Sequence, residues 1–202
     1  MTAAPLPLRR AGQGEPLVLV HGFMGGSAQW SAELAALGAH VDVIAPDLAG
    51  YGDAADRDAP ASIAAHARSV LATLDTLGIQ RFHLLGHSMG GMVVQKYLEQ
   101  YDAPATVLMA SVPPQGLMGS AFGLMLKRPT LLSDLNAIMT GNDVNIDSLR
   151  EALFHQPVDA ADLRRYYTLS QPESHRAIWD MSLFNLPQPA RMHQPPMLIL
   201  GA

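Results

Sequence analysis

The sequence contains no cysteine. Disulfides, thiolate nucleophiles and cysteine-based metal centres are thereby excluded. Charge is sparse as well. Only 15% of residues are charged, and 13 Lys and Arg stand against 18 Asp and Glu, for a net charge of −5. Such a balance leaves no electrostatic footprint for nucleic acid. The adjacent arginines Arg9-Arg10 and Arg164-Arg165 read as solvated surface. No apolar run approaches the roughly 18 residues of a membrane span. The opening MTAAPLPLRRAGQGEP has no basic head followed by an apolar core, so it does not read as a secretory signal. A soluble, cytoplasmic protein is the expectation.

What is present is apolar material for one domain. Hydrophobic residues make up 49% of 202, and a chain of that size can bury roughly 70% of its unfolded surface. From Pro16 to about Ser111, short apolar runs alternate with helical patterns. PLVLV (Pro16–Val20), HVDVIAPD (His40–Asp47), RFHLLG (Arg81–Gly86) and PATVLMAS (Pro104–Ser111) read as strands. Between them, Ser27–Ala39 reads as a helix with Ser27 as N-cap. Ser62–Gly78 reads as a helix between a Ser cap and a Gly stop, and a third helix follows Ser88. Ala49–Ala61 reads as loop. This alternation predicts an α/β fold with a parallel sheet covered on both faces. Reactive groups then collect at the carboxyl ends of the strands.

The pattern changes at Val112. Up to about Arg191 it predicts helices only, near Leu117–Leu126, Thr130–Met139, Asp147–Phe154, Ala160–Leu169 and Glu173–Phe184. Strand character returns in PPMLILGA, Pro195–Ala202. The expected organisation is a discontinuous α/β core, residues 1–111 and 191–202, with residues 112–190 as a helical cap. The cap is rich in Met118, Met125, Met139 and Met181. These read equally as an apolar substrate wall or as ordinary packing.

Chemistry concentrates in GHSMG (Gly86–Gly90), a G-x-S-x-G pattern that ends a strand and opens a helix. So sharp a turn leaves no room for side chains two residues either side of Ser88, and it exposes the serine hydroxyl. The plainer reading is an N-cap serine after a glycine turn. A second signal, HGFMGG (His21–Gly26), ends the Pro16 strand. Acyl transfer needs two backbone N–H donors aimed at the developing oxyanion. Met89, directly after Ser88, and Phe23, in the earlier loop, are the candidates. The plainer reading of HGFMGG is a strand-to-helix turn.

With PDLAGYG (Pro46–Gly52) between them, His21-Gly22-Phe23 and LLGHSMGGMV (Leu84–Val93) resemble the α/β-hydrolase fold family in order and spacing. The resemblance implies a mostly parallel sheet with a helical cap, Ser88 as nucleophile, and Phe23 and Met89 as oxyanion hole. It implies no metal and no organic cofactor. Serine at that position is most similar to esterases, monoacylglycerol lipases and thioesterases, and to some carbon–carbon bond hydrolases. The expected partner is a small-molecule ester with an apolar acyl group.

Family order puts the acid and then the histidine after Ser88, one and two strands later. The resemblance therefore implies that the last strand and helices, with both partners, lie beyond Ala202, and that residues 1–202 alone are nearly inactive and poorly soluble. Substitutes within the chain are weak. His87 neighbours Ser88 on a strand-turn, which directs the two side chains apart. His21 reads as an organiser of its loop, His83 as packing or hydrogen-bonded, and His155, His175 and His193 as cap or surface residues. Asp47 reads as a turn cap in preference to a catalytic acid. The alternatives kept open are a thioesterase, a carbon–carbon hydrolase, or a non-catalytic small-molecule binder on the same fold.

Overall fold

The computed structural model describes residues 4–57, 62–127, 156–169 and 175–201, together with 130, 133, 137, 150 and 154. Six strands form one sheet: β1 (Leu8–Ala11), β2 (Pro16–Val20), β3 (Asp42–Pro46), β4 (His83–His87), β5 (Thr106–Met109) and β6 (Met197–Leu200). Their order across the sheet is β1-β3-β2-β4-β5-β6. Five strands run parallel. Only β1 is antiparallel, pairing Leu8 with Pro46 through Ala11 with Val43. Among the described residues the helices are α1 (Ser31–Leu37), α2 (Ile63–Thr76), α3 (Met89–Leu98), α4 (Met118–Lys127), α5 (Ala160–Leu169) and α6 (His175–Ser182).

Both faces of the sheet are covered at its central strands β2 and β3, as their continuous apolar runs require. Alternate residues of one strand go to opposite sides. Val18, Val20 and Ile44 join the larger core, packed with α2 and α3. Leu19, Val43 and Ala45 join the smaller one, with Trp30 and Leu34. All ten residues of α3 are buried, so the helix after Ser88 has no solvent stripe. Its Lys96 is accommodated by Glu99, whose carboxylate lies 2.7 Å from the ammonium.

Sequence expectation and structure agree on β2 to β6 and on α2, whose N-cap Ser62 accepts from the Ala65 N–H. Two local differences have physical causes. Ser27 does not cap a helix. A 3₁₀ turn over Ser27–Trp30 begins after Gly26, and the Ser27 hydroxyl is turned to Asp47 instead. The segment before Pro16, to which the sequence assigns no element, contributes edge strand β1. Two consecutive arginines conceal its alternation. Arg10 Nε and Nη2 donate to the two Asp42 carboxylate oxygens, both at 2.7 Å, which fastens this edge to β3.

Of the helices expected between Val112 and Arg191, three coincide with α4, α5 and α6. Thr130–Met139 and Asp147–Phe154 lie, apart from single positions, outside the described residues, as do His155 and Met139. The end of α6 is tied to the core. Asp180 is fully buried and accepts from Ile63 N–H at the start of α2. Met181 sits in the main core, and its carbonyl accepts from Leu117 N–H just before α4.

Strand β6 is an edge whose four apolar side chains are all exposed, up to 68% at Ile199. Such an edge templates association. For a chain of residues 1–202, Ile199→Lys is expected to raise soluble yield and suppress concentration-dependent light scattering. It should leave unfolding free energy within about 0.5 kcal/mol, as for a surface site. Aggregation that persists in the variant would place its origin elsewhere.

Candidate active site

At the carboxyl end of β4 the chain reverses into α3 through one residue. Ser88 has φ 53° and ψ −116°, a left-handed conformation that non-glycine residues rarely adopt. Holding it costs on the order of 1–3 kcal/mol. Three backbone bonds hold it there. Its N–H donates to Met109 carbonyl at 3.0 Å, and its carbonyl accepts from Gly91 N–H at 3.0 Å and Val112 N–H at 3.2 Å. Gly86 is required by the closeness of the turn. A Cβ there would stand 2.6 Å from the Gly90 carbonyl carbon and from Gly91 Cα. Met89 opens α3, so its N–H has no acceptor within the helix. The same helix end carries partial positive charge.

The loop after β2 meets this elbow. Gly25 N–H donates to Gly22 carbonyl at 3.4 Å and closes a turn in which Met24 has φ 55°. Gly22 is pressed against the serine, since a Cβ built on it would lie 3.1 Å from Ser88 Cβ. Phe23 follows Gly22 directly. Thus the adjacent Ser88 and Met89 and the distant Phe23 are gathered at the carboxyl ends of β2 and β4.

His21 is fully buried beneath that loop. Its Nδ1–H donates to Gly22 carbonyl at 2.8 Å, and its Nε2 accepts from Leu48 N–H at 3.0 Å. These bonds define the neutral tautomer protonated on Nδ1. Burial lowers its pKa, which favours the same neutral form. With both nitrogens occupied, His21 organises the loop.

Asp47 answers from the neighbouring strand end. Its carboxylate, 2% exposed, accepts from Ser27 N–H at 2.5 Å, Ser27 hydroxyl at 3.0 Å and Asp53 N–H at 3.3 Å. It therefore caps turns and joins the loop after β2 to the loop after β3.

The other described histidine side chains have partners or positions of their own. His87 Nδ1 pairs with Gln29 Nε2 at 3.4 Å, and burial lowers its pKa. His83 pairs with Glu15 at 3.3 Å from the start of β4, the far end of the strand. His193 is exposed beyond α3, with its N–H on Leu98 carbonyl. His175 begins α6. Among the described residues none hydrogen-bonds the Ser88 hydroxyl, and no group of three or more His, Cys, Asp or Glu could hold a metal ion.

Two buried polar residues escape the sequence reading. His66 is 1% exposed, its ring 6.2 Å from that of Tyr51, which in turn lies edge-on to His21. Its helical spacing with Ile63, Ala67 and Val70 is the signal that marks it. Asp180 meets α2 across 117 residues of sequence, which no local pattern reveals.

Comparison with known proteins matches residues 17–202 to the model of the "Alpha/beta hydrolase family". An uncharacterized protein of Mycobacterium tuberculosis is 38% identical over 141 residues, 61% of this chain and 40% of the relative. The 2-hydroxy-6-oxo-6-phenylhexa-2,4-dienoate hydrolase of Burkholderia cepacia is 29% identical over 195 residues, 87% of this chain and 68% of that enzyme. This chain thus spans well under half of the mycobacterial relative. Among solved structures, an esterase from Exiguobacterium antarcticum superposes with TM-score 0.70 at 20% identity, covering 95% of this chain and 75% of its own. A mutant of the N-acyl homoserine lactonase AidH, complexed with N-hexanoyl homoserine lactone, superposes with TM-score 0.70 at 19% identity, covering 94% and 72%. At such identities these structures speak to the fold.

Two stability predictions come from this geometry. Asp47→Ala leaves the Ser27 N–H and hydroxyl buried without their acceptor and should cost about 2–4 kcal/mol in urea unfolding. A loss below about 0.5 kcal/mol would remove Asp47 from the framework. His66, whose Nδ1 has no hydrogen-bond partner, is held neutral by burial, its pKa pushed down to about 4. The unfolded chain takes up that proton below about 6.5. Stability should therefore be full above pH 6.5 and fall by on the order of 3 kcal/mol as pH drops to 4. His66→Leu should remove that part of the slope in unfolding titrations, and an unchanged slope would assign it to other groups.

Proposed function

Because the chain belongs to the alpha/beta hydrolase family, we propose that its chemistry is hydrolysis of a carboxylic ester by Ser88 through an acyl-enzyme. Ser88 Oγ attacks the carbonyl carbon and its proton passes to a histidine base. The carbonyl π pair moves onto oxygen, and the Phe23 and Met89 N–H groups hold the oxyanion. The tetrahedral species collapses, the carbon–oxygen bond breaks, and the imidazolium returns the proton to the departing alcohol. Water then repeats the sequence on the acyl-enzyme, releasing the acid and restoring Ser88.

The single observation that carries this reading is the backbone of Ser88. A strained, left-handed serine held by three backbone bonds, with Gly22 against its Cβ, has no purpose in a plain N-cap. The base and its orienting acid are assigned outside the described residues, since His21 has both nitrogens engaged and His87 faces Gln29. Residues 112–190 act as the cap. An apolar acyl group suits α4, where Met118, Phe122 and Met125 share one exposed face.

A second reading, hydrolysis of an oxo-dienoate, is favoured by the Burkholderia relative, whose alignment runs over most of this chain. It uses the same serine and the same two donors.

The test is fluorophosphonate labelling and p-nitrophenyl butyrate hydrolysis by the complete gene product. Ser88→Ala should abolish labelling and lower turnover by at least about 10⁴-fold, as for removal of a serine nucleophile. Labelling that survives Ser88→Ala sinks the assignment. A folded protein that never labels supports a non-catalytic binder, and oxo-dienoate cleavage without ester turnover supports the second reading.

A further inference from the structure

We infer that His87, the residue before Ser88, is a positioning residue that sets how closely the Gly22–Phe23 loop approaches the serine. The inference rests on the reading of Ser88 as nucleophile and adds a part to that site. Successive side chains of a strand point to opposite faces. The left-handed backbone at Ser88 breaks that alternation. Both His87 and Ser88 consequently lie against the same point of the neighbouring loop. A Cβ on Gly22 would stand 2.7 Å from His87 Nδ1, 3.2 Å from His87 Cε1 and 3.1 Å from Ser88 Cβ. The imidazole and the serine form one wall, and Gly22 rests on it.

The ring is itself held. Gln29 Nε2 donates to His87 Nδ1 at 3.4 Å, and the ring stands edge-on to Trp30 at 6.3 Å and 86°. Trp30 is buried in the smaller core. The Gln29 amide oxygen lies where a side chain on Gly25 would fall. One clamp therefore touches the loop at Gly22 through His87 and at Gly25 through Gln29. The Phe23 N–H is carried between these two points. A donor serves an oxyanion only within a narrow range of distance, so a ring that fixes the seat of Gly22 also fixes that distance.

The test is a double-mutant cycle on the complete gene product, reading kcat and KM for p-nitrophenyl butyrate, with melting temperature as a check of folding. Gly22→Ala should drive its methyl into the ring and lower kcat about 10²-fold, the loss of one oxyanion donor, with KM within about twofold. His87→Ala should lower kcat about 10-fold. In the His87→Ala background the added Gly22→Ala should cost less than about tenfold, because the ring it strikes hardest is gone and only the 3.1 Å approach to Ser88 Cβ remains. Should Gly22→Ala not fold, Gln29→Ala frees the ring without adding an atom and should lower kcat about threefold while adding little to His87→Ala. Losses that multiply, or that fall on KM alone, overturn the inference while Ser88-dependent turnover leaves the parent reading standing. Turnover that survives Ser88→Ala overturns both.

Discussion

Two buried side chains facing opposite ways hold the carboxyl end of the sheet in order. His21, from the loop after β2, takes a hydrogen bond from the backbone of Leu48 after β3. Asp47, from the end of β3, takes two from Ser27 in the β2 loop. Each loop thus satisfies donors of the other, and neither can move alone without stranding buried polar groups. The turn that carries Phe23 lies between these attachments.

Strain at Ser88 is tolerable because of what surrounds it. Bonds from β5 and from the segment after it grip the serine's backbone, and the helix it opens is buried along its whole length. Displacing Ser88 would mean moving α3 against both the sheet and α2. A parallel sheet supplies this rigidity because its connections are helices packed on its faces. The hydroxyl is presented at a rim that the rest of the domain holds still.

Several described residues beyond β5 attach to that frame. Asp180 and Met181 fasten the end of α6 to α2 and to the start of α4. Glu99 joins the returning chain to α3, accepting from Gln188 N–H while it neutralises Lys96. By contrast, Met118, Phe122, Trp179 and Phe184 are exposed.

Much of this was legible from residues alone. Apolar runs of four or five, separated by helical periods, located five strands and the helices between them, because burial on two faces admits little else. The glycines of GHSMG and the His-Gly of HGFMGG marked the rim, because only a chain without Cβ atoms passes there. Edge strand β1 was hidden, since its Arg9-Arg10 pair has no alternation and its pairing depends on Asp42, 32 positions away. His87 was expected to point away from Ser88. Strand alternation implies that, but the left-handed turn at the serine brings both side chains to Gly22. The sequence by itself determined the alternation of elements and the tight turn at Ser88, because those rest on local sterics and periodicity. His21 as a loop organiser and Asp47 as a turn cap were also readable, but the partners they engage, Leu48 and Ser27, and the placing of His87 against Gly22 were decided by tertiary structure, because contacts between distant segments leave no local trace.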